Sequence, residues 1–330
     1  MSQAFEELYA QRKGHYGKSA ESESFLKDLN EHLQPREQAL YRELDVQAPF
    51  VFVFGLPRSA TTLMSQVLAY SLDASYVDNV VARLWLAPVH GIRLSRSLLG
   101  ERDSPAFESD YARTSDLHGI HEFGYFWRHW LRKETFGDIV HAREREDEID
   151  WSGLRKTLAN VQAELGGKAF VAKNILAGYH LRRLRESLGQ VVYVYVERDP
   201  LDVAVSILDA RRKYYVDPNT WWSYTPVEYE ELANLDYWEQ IAGQVHYLSR
   251  FYDRALEEAG LDVVVRSTYE ELCRRPRSVL EAVSERSAEA HGVEIPVRTE
   301  PPESFPFRTH EDRDEEKERF RVLLDRLAAR

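Results

Sequence analysis

The sequence predicts an α/β fold in three layers, with a central parallel sheet flanked by helices. Four short apolar runs have the character of strands, and they span residues 49–54, 168–173, 191–196 and 261–266. A continuous apolar run of this length is typical of a strand that is buried on both faces. A helical pattern follows each run, and strands that alternate with helices favour a parallel sheet with helices on both sides.

The helices are predicted from the spacing of apolar residues and from capping residues. Residues 21–46 have an amphipathic helical pattern that is interrupted at Pro35. A long helix is predicted to begin with Thr225 as its N-cap, to carry a capping box in its first turn, and to stop at Gly260. The stretch 311–330 is predicted to be a charged helix with one apolar stripe.

Composition and charge exclude several classes of protein. The net charge of −12 argues against nucleic-acid binding, because basic patches supply most of that affinity. No apolar run reaches the length of about 20 residues that spans a bilayer, so no transmembrane segment is expected. The first residues lack the apolar core of a secretory signal, and the single Cys273 fits a reducing compartment, so we expect a cytoplasmic protein.

The first candidate functional motif follows the first strand. It reads Gly55-Leu-Pro-Arg-Ser-Ala-Thr-Thr62 and leads directly into a helical pattern. At such a strand–loop–helix junction, backbone N–H groups and the helix dipole converge on an anion. The loop resembles the nucleotide-triphosphatase loop, but Ala60 and Thr61 stand where that loop has its second glycine and its lysine. The motif therefore predicts a P-loop-like fold that cradles phosphate oxygens and is poorly equipped for Mg-dependent phosphoryl transfer.

The second motif ends the third apolar run. Arg198 stands at the carboxyl end of that predicted strand, where ligands of open α/β sheets bind. Asp199 and Pro200 are predicted to begin the next helix, and Ser206 follows within that helix. An arginine and a helical hydroxyl of this kind form a plausible clamp for one phosphate.

Together the two motifs resemble those of the sulfotransferases that use 3′-phosphoadenosine 5′-phosphosulfate (PAPS), and more closely the bacterial and Golgi-type members. The family patterns are P-[KR]-S-G-T-T and R-[DN]-P-x-D-x-x-x-S, and here they stand at 57–62 and 198–206. The resemblance implies that the first loop binds the 5′-phosphosulfate, that the second segment binds the 3′-phosphate, and that a tyrosine lies against the adenine. The residues that would bind the donor are Arg58, Ser59, Ala60, Thr61, Thr62, Arg198, Ser206 and Tyr269.

Two departures from the family pattern affect the expected donor site. Ala60 replaces the loop glycine, and if that position requires a positive φ the alanine costs about 1 kcal/mol. The C-terminal R-K-G phosphate contact of cytosolic eukaryotic members is absent, and Arg211, Arg212 and Arg308 are candidates to replace it.

The resemblance also sets the expected domain organisation and reaction. We predict one sulfotransferase domain over 1–330, with an N-terminal helical extension (1–48), a nucleotide-binding core (50–280) and a C-terminal helical segment (281–330). The expected reaction moves the sulfuryl group of PAPS to a hydroxyl or amine of a small-molecule, sugar or lipid-like acceptor and releases 3′-phosphoadenosine 5′-phosphate (PAP). No metal is expected, and the sequence does not indicate an oligomeric state.

The reaction needs a cation that stabilises the negative charge on the leaving group and a base that removes the proton of the acceptor. Arg58 is the first cation, and Lys173, at the end of its strand, resembles the family's catalytic lysine. The family's K-T-H histidine is missing, so the base must come from elsewhere. Glu122 is the first choice and His121 the second, with the neighbouring histidines 118 and 129 behind them. Aromatic residues at 123–130 and 214–224 suit an acceptor pocket and suit plain packing equally well.

Two other functions remain open on the sequence alone. One is a Mg-dependent phosphotransferase or NTPase on the same architecture. The other is a PAPS-binding protein without transfer activity, because the base is not identified by a motif.

Overall fold

The structure is a computed structural model, and it describes residues 11–13, 17, 19–100, 107 and 116–329. Its strands are β1 (Phe50–Gly55), β2 (Ala74–Ser75), β3 (Ala169–Lys173), β4 (Val191–Glu197) and β5 (Val264–Thr268). They form one parallel sheet in the order β2-β3-β1-β4-β5. The predicted α/β class with a central parallel sheet is therefore confirmed, and the short edge strand β2 is an addition to the four predicted strands.

The helices follow the strands and cover the sheet. In chain order they are α1 (Ala20–Gln38), α2 (Thr61–Ser71), α3 (Pro88–Leu99), α4 (Gly124–Leu131), α5 (Phe136–Val140), α6 (Trp151–Glu164), α7 (Leu181–Leu188), α8 (Pro200–Tyr214), α9 (Tyr229–Leu232), α10 (Tyr237–Ala259), α11 (Tyr269–Arg274), α12 (Pro276–His291) and α13 (Asp314–Ala328). No helix of the residues described is long and apolar enough to cross a membrane.

The two faces of the sheet carry different side chains. In β1, Phe50, Phe52 and Phe54 point to one hydrophobic core, and Val51 and Val53 point to the other. Helices α6, α7, α8 and α10 supply the first core, whereas α2 and α12 supply the second. All β1 residues are buried, because each face of the central strand lies under a layer of helices. The three predicted layers are thus present, with the aromatic residues concentrated on one side.

The predicted bounds of the last strand are wrong, because the strand begins three residues later and ends two residues later than predicted. The prediction was 261–266, but residues Leu261–Val263 form a 3₁₀ turn and the strand begins at Val264, opposite Tyr193 of β4. Gly260, with a φ of 97°, ends the preceding helix and feeds the chain into this turn. The later start makes Tyr269 the first residue of α11, where Thr268 completes a capping box.

The first helix differs from its prediction at Pro35 and at its C-terminal end. It continues through Pro35 and ends at Gln38, although a break at Pro35 and an extent to residue 46 were predicted. Proline in the last turn removes one hydrogen bond, and tertiary contacts compensate for it. The buried Glu37 accepts a 2.7 Å hydrogen bond from the Val89 amide, and Asn30 donates to the Arg83 carbonyl at 2.8 Å.

The predicted start of the long helix is wrong. Helix α10 begins at Tyr237, where the Asp236 side chain accepts hydrogen bonds from the amides of Trp238 and Glu239. Thr225 is buried, and its carbonyl accepts a hydrogen bond from the Tyr179 hydroxyl instead of opening a helix. An N-cap residue has an extended backbone and a side chain that can accept from the first helical amides, and Asp236 meets both conditions. The predicted stop at Gly260 is confirmed.

The other two helix predictions are confirmed. The Asp199 side chain caps α8, with Pro200 at its first position. The C-terminal helix α13 packs its apolar stripe on the first core through the fully buried Phe320.

Candidate active site

The carboxyl ends of β3, β1, β4 and β5 lie side by side and carry the predicted site residues. Lys173 ends β3, Gly55 ends β1, and Arg198 directly follows β4. Because β1 lies between β3 and β4, its loop sits between the lysine and the arginine. This edge of a parallel α/β sheet is where ligands bind in such folds.

The loop after β1 is built from unusual backbone conformations. Arg58 and Ala60 have φ values of 70° and 73°, in the left-handed region. The buried Ser59 donates its hydroxyl to the Leu56 carbonyl at 2.8 Å and so closes the turn from inside. Ala60 is the N-cap residue of α2, and no described side chain caps that helix. The first amides of α2, together with the hydroxyls of Thr61 and Thr62, are thus arranged for an anion.

Gly55 is required at the base of this loop by close approach. A Cβ built on Gly55 would meet the Ser59 hydroxyl and would lie 2.7 Å from the Val196 carbonyl oxygen. Any larger residue would therefore push the loop away from the sheet. Ala60 does have a positive φ, which was the condition for strain at this position. The alanine therefore lowers the stability of the folded chain by about 1 kcal/mol relative to glycine.

The two predicted phosphate-binding motifs contact each other. The Arg58 Nε atom donates to the Ser206 hydroxyl at 3.0 Å, although these residues are 148 positions apart. The Arg198 Nη1 atom donates to the Arg58 carbonyl at 2.8 Å. The guanidinium of Arg198 also lies over the Tyr269 ring, 4.6 Å from its centroid. One position at the carboxyl end of β4 is thus surrounded by two arginines, a serine hydroxyl and an aromatic ring.

A C-terminal segment, residues 305–310, runs across this position. Its Arg308 amide donates to the Tyr269 hydroxyl at 3.2 Å, and the Arg308 carbonyl accepts from Arg198 Nη2 at 3.0 Å. The Phe307 ring lies 5.1 Å from the Tyr269 ring, and the buried Asp202 accepts the His310 amide at 3.1 Å. The sequence indicates Arg308 only as one of three candidates, because no local motif connects this segment to the loop more than 240 residues earlier.

The other two candidates lie away from this position. Arg211 is fully buried, and its guanidinium contacts Gln240, Gln244 and the Trp221 ring. Arg212 is exposed in the last turn of α8, where its carbonyl accepts from the Lys13 amine at 3.2 Å. Of the three candidate residues, Arg308 alone has backbone contacts with Arg198 and Tyr269 among the described contacts.

On the other side of the loop, two predicted catalytic residues form an ion pair. The Lys173 ammonium contacts the Glu122 carboxylate, with Lys173 buried and Glu122 one-third exposed. Asn174 holds the partner in place, because its Nδ2 atom donates to the Glu122 carbonyl at 3.0 Å. The pair brings together residues 51 positions apart, so a carboxylate and an ammonium group lie in contact at the carboxyl end of β3, next to β1.

The remaining base candidates are less well placed. The His121 side chain is exposed, and its Nδ1 atom accepts a 2.8 Å hydrogen bond from the Phe123 amide. His121, Glu122 and Lys173 line a small cavity together with Phe123 and Trp127. His129 lies in α4, where partial desolvation by its neighbours lowers its pKa. The structure therefore brings Glu122 to Lys173, and of the candidate histidines His121 lines the same cavity.

The aromatic loop after α8 is held by a buried polar group. Arg211 donates to the Gln240 side chain at 2.6 Å and to the Pro218 carbonyl at 3.3 Å. Gln244 donates to the Trp222 carbonyl at 3.0 Å and to the Tyr224 carbonyl. Burial lowers the pKa of Arg211 to about 9. Sequence reasoning missed this arrangement, since Gln240 and Gln244 show no motif.

Comparisons with known proteins identify a protein family for this chain. The family model described as Sulfotransferase family matches residues 49–287. Among solved structures, the sulfotransferase STF9 from Mycobacterium avium has a TM-score of 0.50 and 16% identity, over 93% of this chain and 78% of that chain. Sulfotransferase STF1 from Mycobacterium tuberculosis H37Rv has a TM-score of 0.45 and 13% identity, over 89% and 81% of the two chains. The sulfotransferase domain of the Synechococcus PCC 7002 olefin synthase has a TM-score of 0.41 and 15% identity, over 87% and 97%. The sequence matches no curated protein.

Proposed function

We propose that this chain, which belongs to the sulfotransferase family, takes its sulfuryl group from PAPS and passes it to a hydroxyl or amine, releasing PAP. The acceptor is a small molecule, a sugar or a lipid-like alcohol. One observation carries the choice of donor: the contacts of Arg58 with Ser206 and of Arg198 with the Arg58 carbonyl join the two phosphate motifs. PAPS carries two separate phosphate groups, and a donor with only one would leave half of this site unused.

The order of the strands supports one orientation of the donor. Adjacent strands lie about 4.8 Å apart, so the ends of β3 and β4 are separated by about 10 Å. The 3′-phosphate and the adenine would bind on the β4 side of β1, next to Arg198, Ser206 and Tyr269. The sulfuryl group then lies toward Lys173, with the 5′-phosphate over the loop amides at Ser59, Ala60, Thr61 and Thr62.

The Lys173–Glu122 pair supports an in-line displacement at this end. The acceptor oxygen or nitrogen forms a bond to sulfur, while the bond from sulfur to the bridging oxygen of the 5′-phosphate breaks. Glu122 receives the proton of the acceptor, and Lys173 and Arg58 stabilise the negative charge that grows on the bridging oxygen. His121 is the alternative base at the same cavity. Residues 50–280 act as the nucleotide-binding core in this proposal, and the segment 305–310 adds backbone contacts from the C-terminal part.

Calorimetric titration with PAP, ADP and ATP, with and without Mg²⁺, tests the proposal. We expect metal-independent binding of PAP that is much tighter than that of ADP or ATP. Arg198→Ala should weaken PAP binding by about 10- to 100-fold, because a charge-assisted contact to phosphate is lost. Arg266→Ala is the matched control, since Arg266 pairs with Glu197 and Asp253 one strand away.

Each alternative has its own outcome in this test. Mg-dependent ATP binding without a preference for PAP would favour a phosphotransferase. Tight PAP binding without PAP formation from PAPS, over a panel of phenols, alcohols, sugars and amines, would favour a binding protein without transfer activity.

A further inference from the structure

The Arg198 guanidinium is only partly satisfied by hydrogen bonds within the protein. Its Nη1 atom donates to the Arg58 carbonyl at 2.8 Å, and its Nη2 atom donates to the Arg308 carbonyl at 3.0 Å. Its Nε atom is buried and has no hydrogen-bond partner among the described residues. A guanidinium binds one phosphate with two neighbouring nitrogens, either Nε with Nη2 or Nη1 with Nη2. Both modes use Nη2, so a phosphate at Arg198 competes with the Arg308 carbonyl.

The same C-terminal segment also engages Tyr269. The Phe307 ring lies 5.1 Å from the Tyr269 ring, and the Arg308 amide donates to the Tyr269 hydroxyl at 3.2 Å. The Tyr269 hydroxyl in turn donates to the Pro306 carbonyl at 3.4 Å. Arg198 and Tyr269 are two of the residues that we assign to the 3′-phosphate and the adenine of the donor. Residues 306–308 therefore contact the groups that the donor would use.

The two ends of the segment are held independently of its middle. The Phe305 amide donates to the Cys273 carbonyl at 2.7 Å, and the His310 amide donates to the buried Asp202 carboxylate at 3.1 Å. Between these two contacts, residues 306–308 are exposed and belong to no helix or strand. The middle of the segment is thus free to leave Arg198 and Tyr269 while both ends stay in place.

We propose that residues 306–308 form a displaceable strap: the Arg308 carbonyl holds Nη2 of Arg198 until the 3′-phosphate of the donor replaces it, and the strap then moves off Tyr269. The inference rests on the proposed use of PAPS, because the displacing phosphate belongs to that donor. A phosphate satisfies two guanidinium nitrogens with charge-assisted bonds, whereas the neutral carbonyl satisfies one. Moving the strap uses part of the binding free energy of the donor, so a looser strap gives tighter binding.

Hydrogen exchange with and without PAP tests the strap directly. PAP should slow exchange in a peptide covering 55–62, because the ligand covers the loop after β1. In a peptide covering 303–312 the opposite is expected: exchange should become about three- to tenfold faster, because the Arg308 amide loses its contact with the Tyr269 hydroxyl. Slower or unchanged exchange in 303–312 would overturn the proposal, since the segment would then be a fixed wall of the site.

Phe307→Ala gives a second readout by PAP calorimetry. The change removes the ring that packs on Tyr269 and keeps the backbone contacts of the segment. The dissociation constant for PAP should fall by about two- to fivefold, because less free energy is used to move the strap. Phe25→Ala is the matched control, since Phe25 is an exposed phenylalanine on α1, and it should leave the dissociation constant unchanged. An unchanged or higher dissociation constant in Phe307→Ala would refute the strap.

A comparison without PAP separates this inference from the donor proposal. In the absence of ligand, Arg198→Ala should speed exchange in 303–312, because the Arg308 carbonyl loses its donor, whereas Arg266→Ala should not. Equal exchange in these two variants would show that Arg198 does not hold the strap. If the wild type does not bind PAP, the donor proposal fails, and inorganic phosphate becomes the probe. Faster exchange in 303–312 with phosphate would support the strap, and unchanged exchange would refute it.

Discussion

The proposed donor region and the proposed acceptor region of this protein are built in different ways. The donor region comprises the loop 55–62, Arg198, Ser206 and Tyr269, and each part follows the carboxyl end of β1, β4 or β5. Neighbouring strands place these ends side by side through backbone hydrogen bonds alone. Short motifs in the sequence therefore suffice to specify the donor region.

The acceptor region depends on contacts between distant loops. Glu122 comes from the segment before α4 and reaches Lys173 of β3. The aromatic loop 214–224 is held by Arg211 and by Gln244 of α10. No regular hydrogen-bond ladder sets these distances, so side-chain packing decides them. The comparison indicates that the donor region is fixed by topology and the acceptor region by particular side chains.

The largest effect expected in the acceptor region is that of Glu122→Gln. The amide cannot take the acceptor proton, so turnover should fall by about 10²- to 10⁴-fold. PAP affinity should stay within about threefold, because Glu122 lies outside the donor region. The measurement is PAP formation with the best acceptor of the panel, and Glu134→Gln, which removes the carboxylate paired with Arg128, is the control. Full activity in Glu122→Gln would leave His121 as the base.

Lys173→Ala should lower turnover by about 10²- to 10³-fold, because the charge on the departing oxygen loses one stabilising cation. Calorimetry should show PAP binding close to that of the wild type. Lys168→Ala is the matched control, since Lys168 precedes the same strand at its opposite end and pairs with Asp73. Unchanged turnover would give Lys173 a structural role, and a parallel loss of PAP affinity would move it into the donor region.

The smallest effect is expected for Ala60→Gly in the donor loop. Glycine accepts a φ of 73° without strain, so the free energy of unfolding should rise by up to about 1 kcal/mol, with PAP affinity changed by less than threefold. Thermal unfolding with and without PAP measures both quantities. Ala69→Gly, in the last turn of α2, should instead lower the melting temperature. A fall in stability for Ala60→Gly would show that the loop tolerates alanine at no cost.

The accuracy of the sequence predictions follows the same division. Local patterns in the sequence predicted the strands and the cap at Asp199. They also placed Arg58 and Ser206 at one site, where the two residues contact each other. The errors occurred where distant groups decide the local structure. Thr225 has the pattern of an N-cap, but its backbone bonds to Tyr179. Pro35 has the pattern of a break, but buried contacts of Asn30 and Glu37 hold α1 on α3 and its neighbours.

The sequence by itself determined the α/β class, the parallel sheet and the two phosphate motifs, because periodicity and turn chemistry act over a few residues. Only the tertiary structure decided that Glu122 contacts Lys173 and that residues 305–310 cross the carboxyl end of β4. Each of these contacts joins residues more than 50 positions apart. These contacts depend on how the helices pack on the sheet, and no short stretch of sequence predicts that packing.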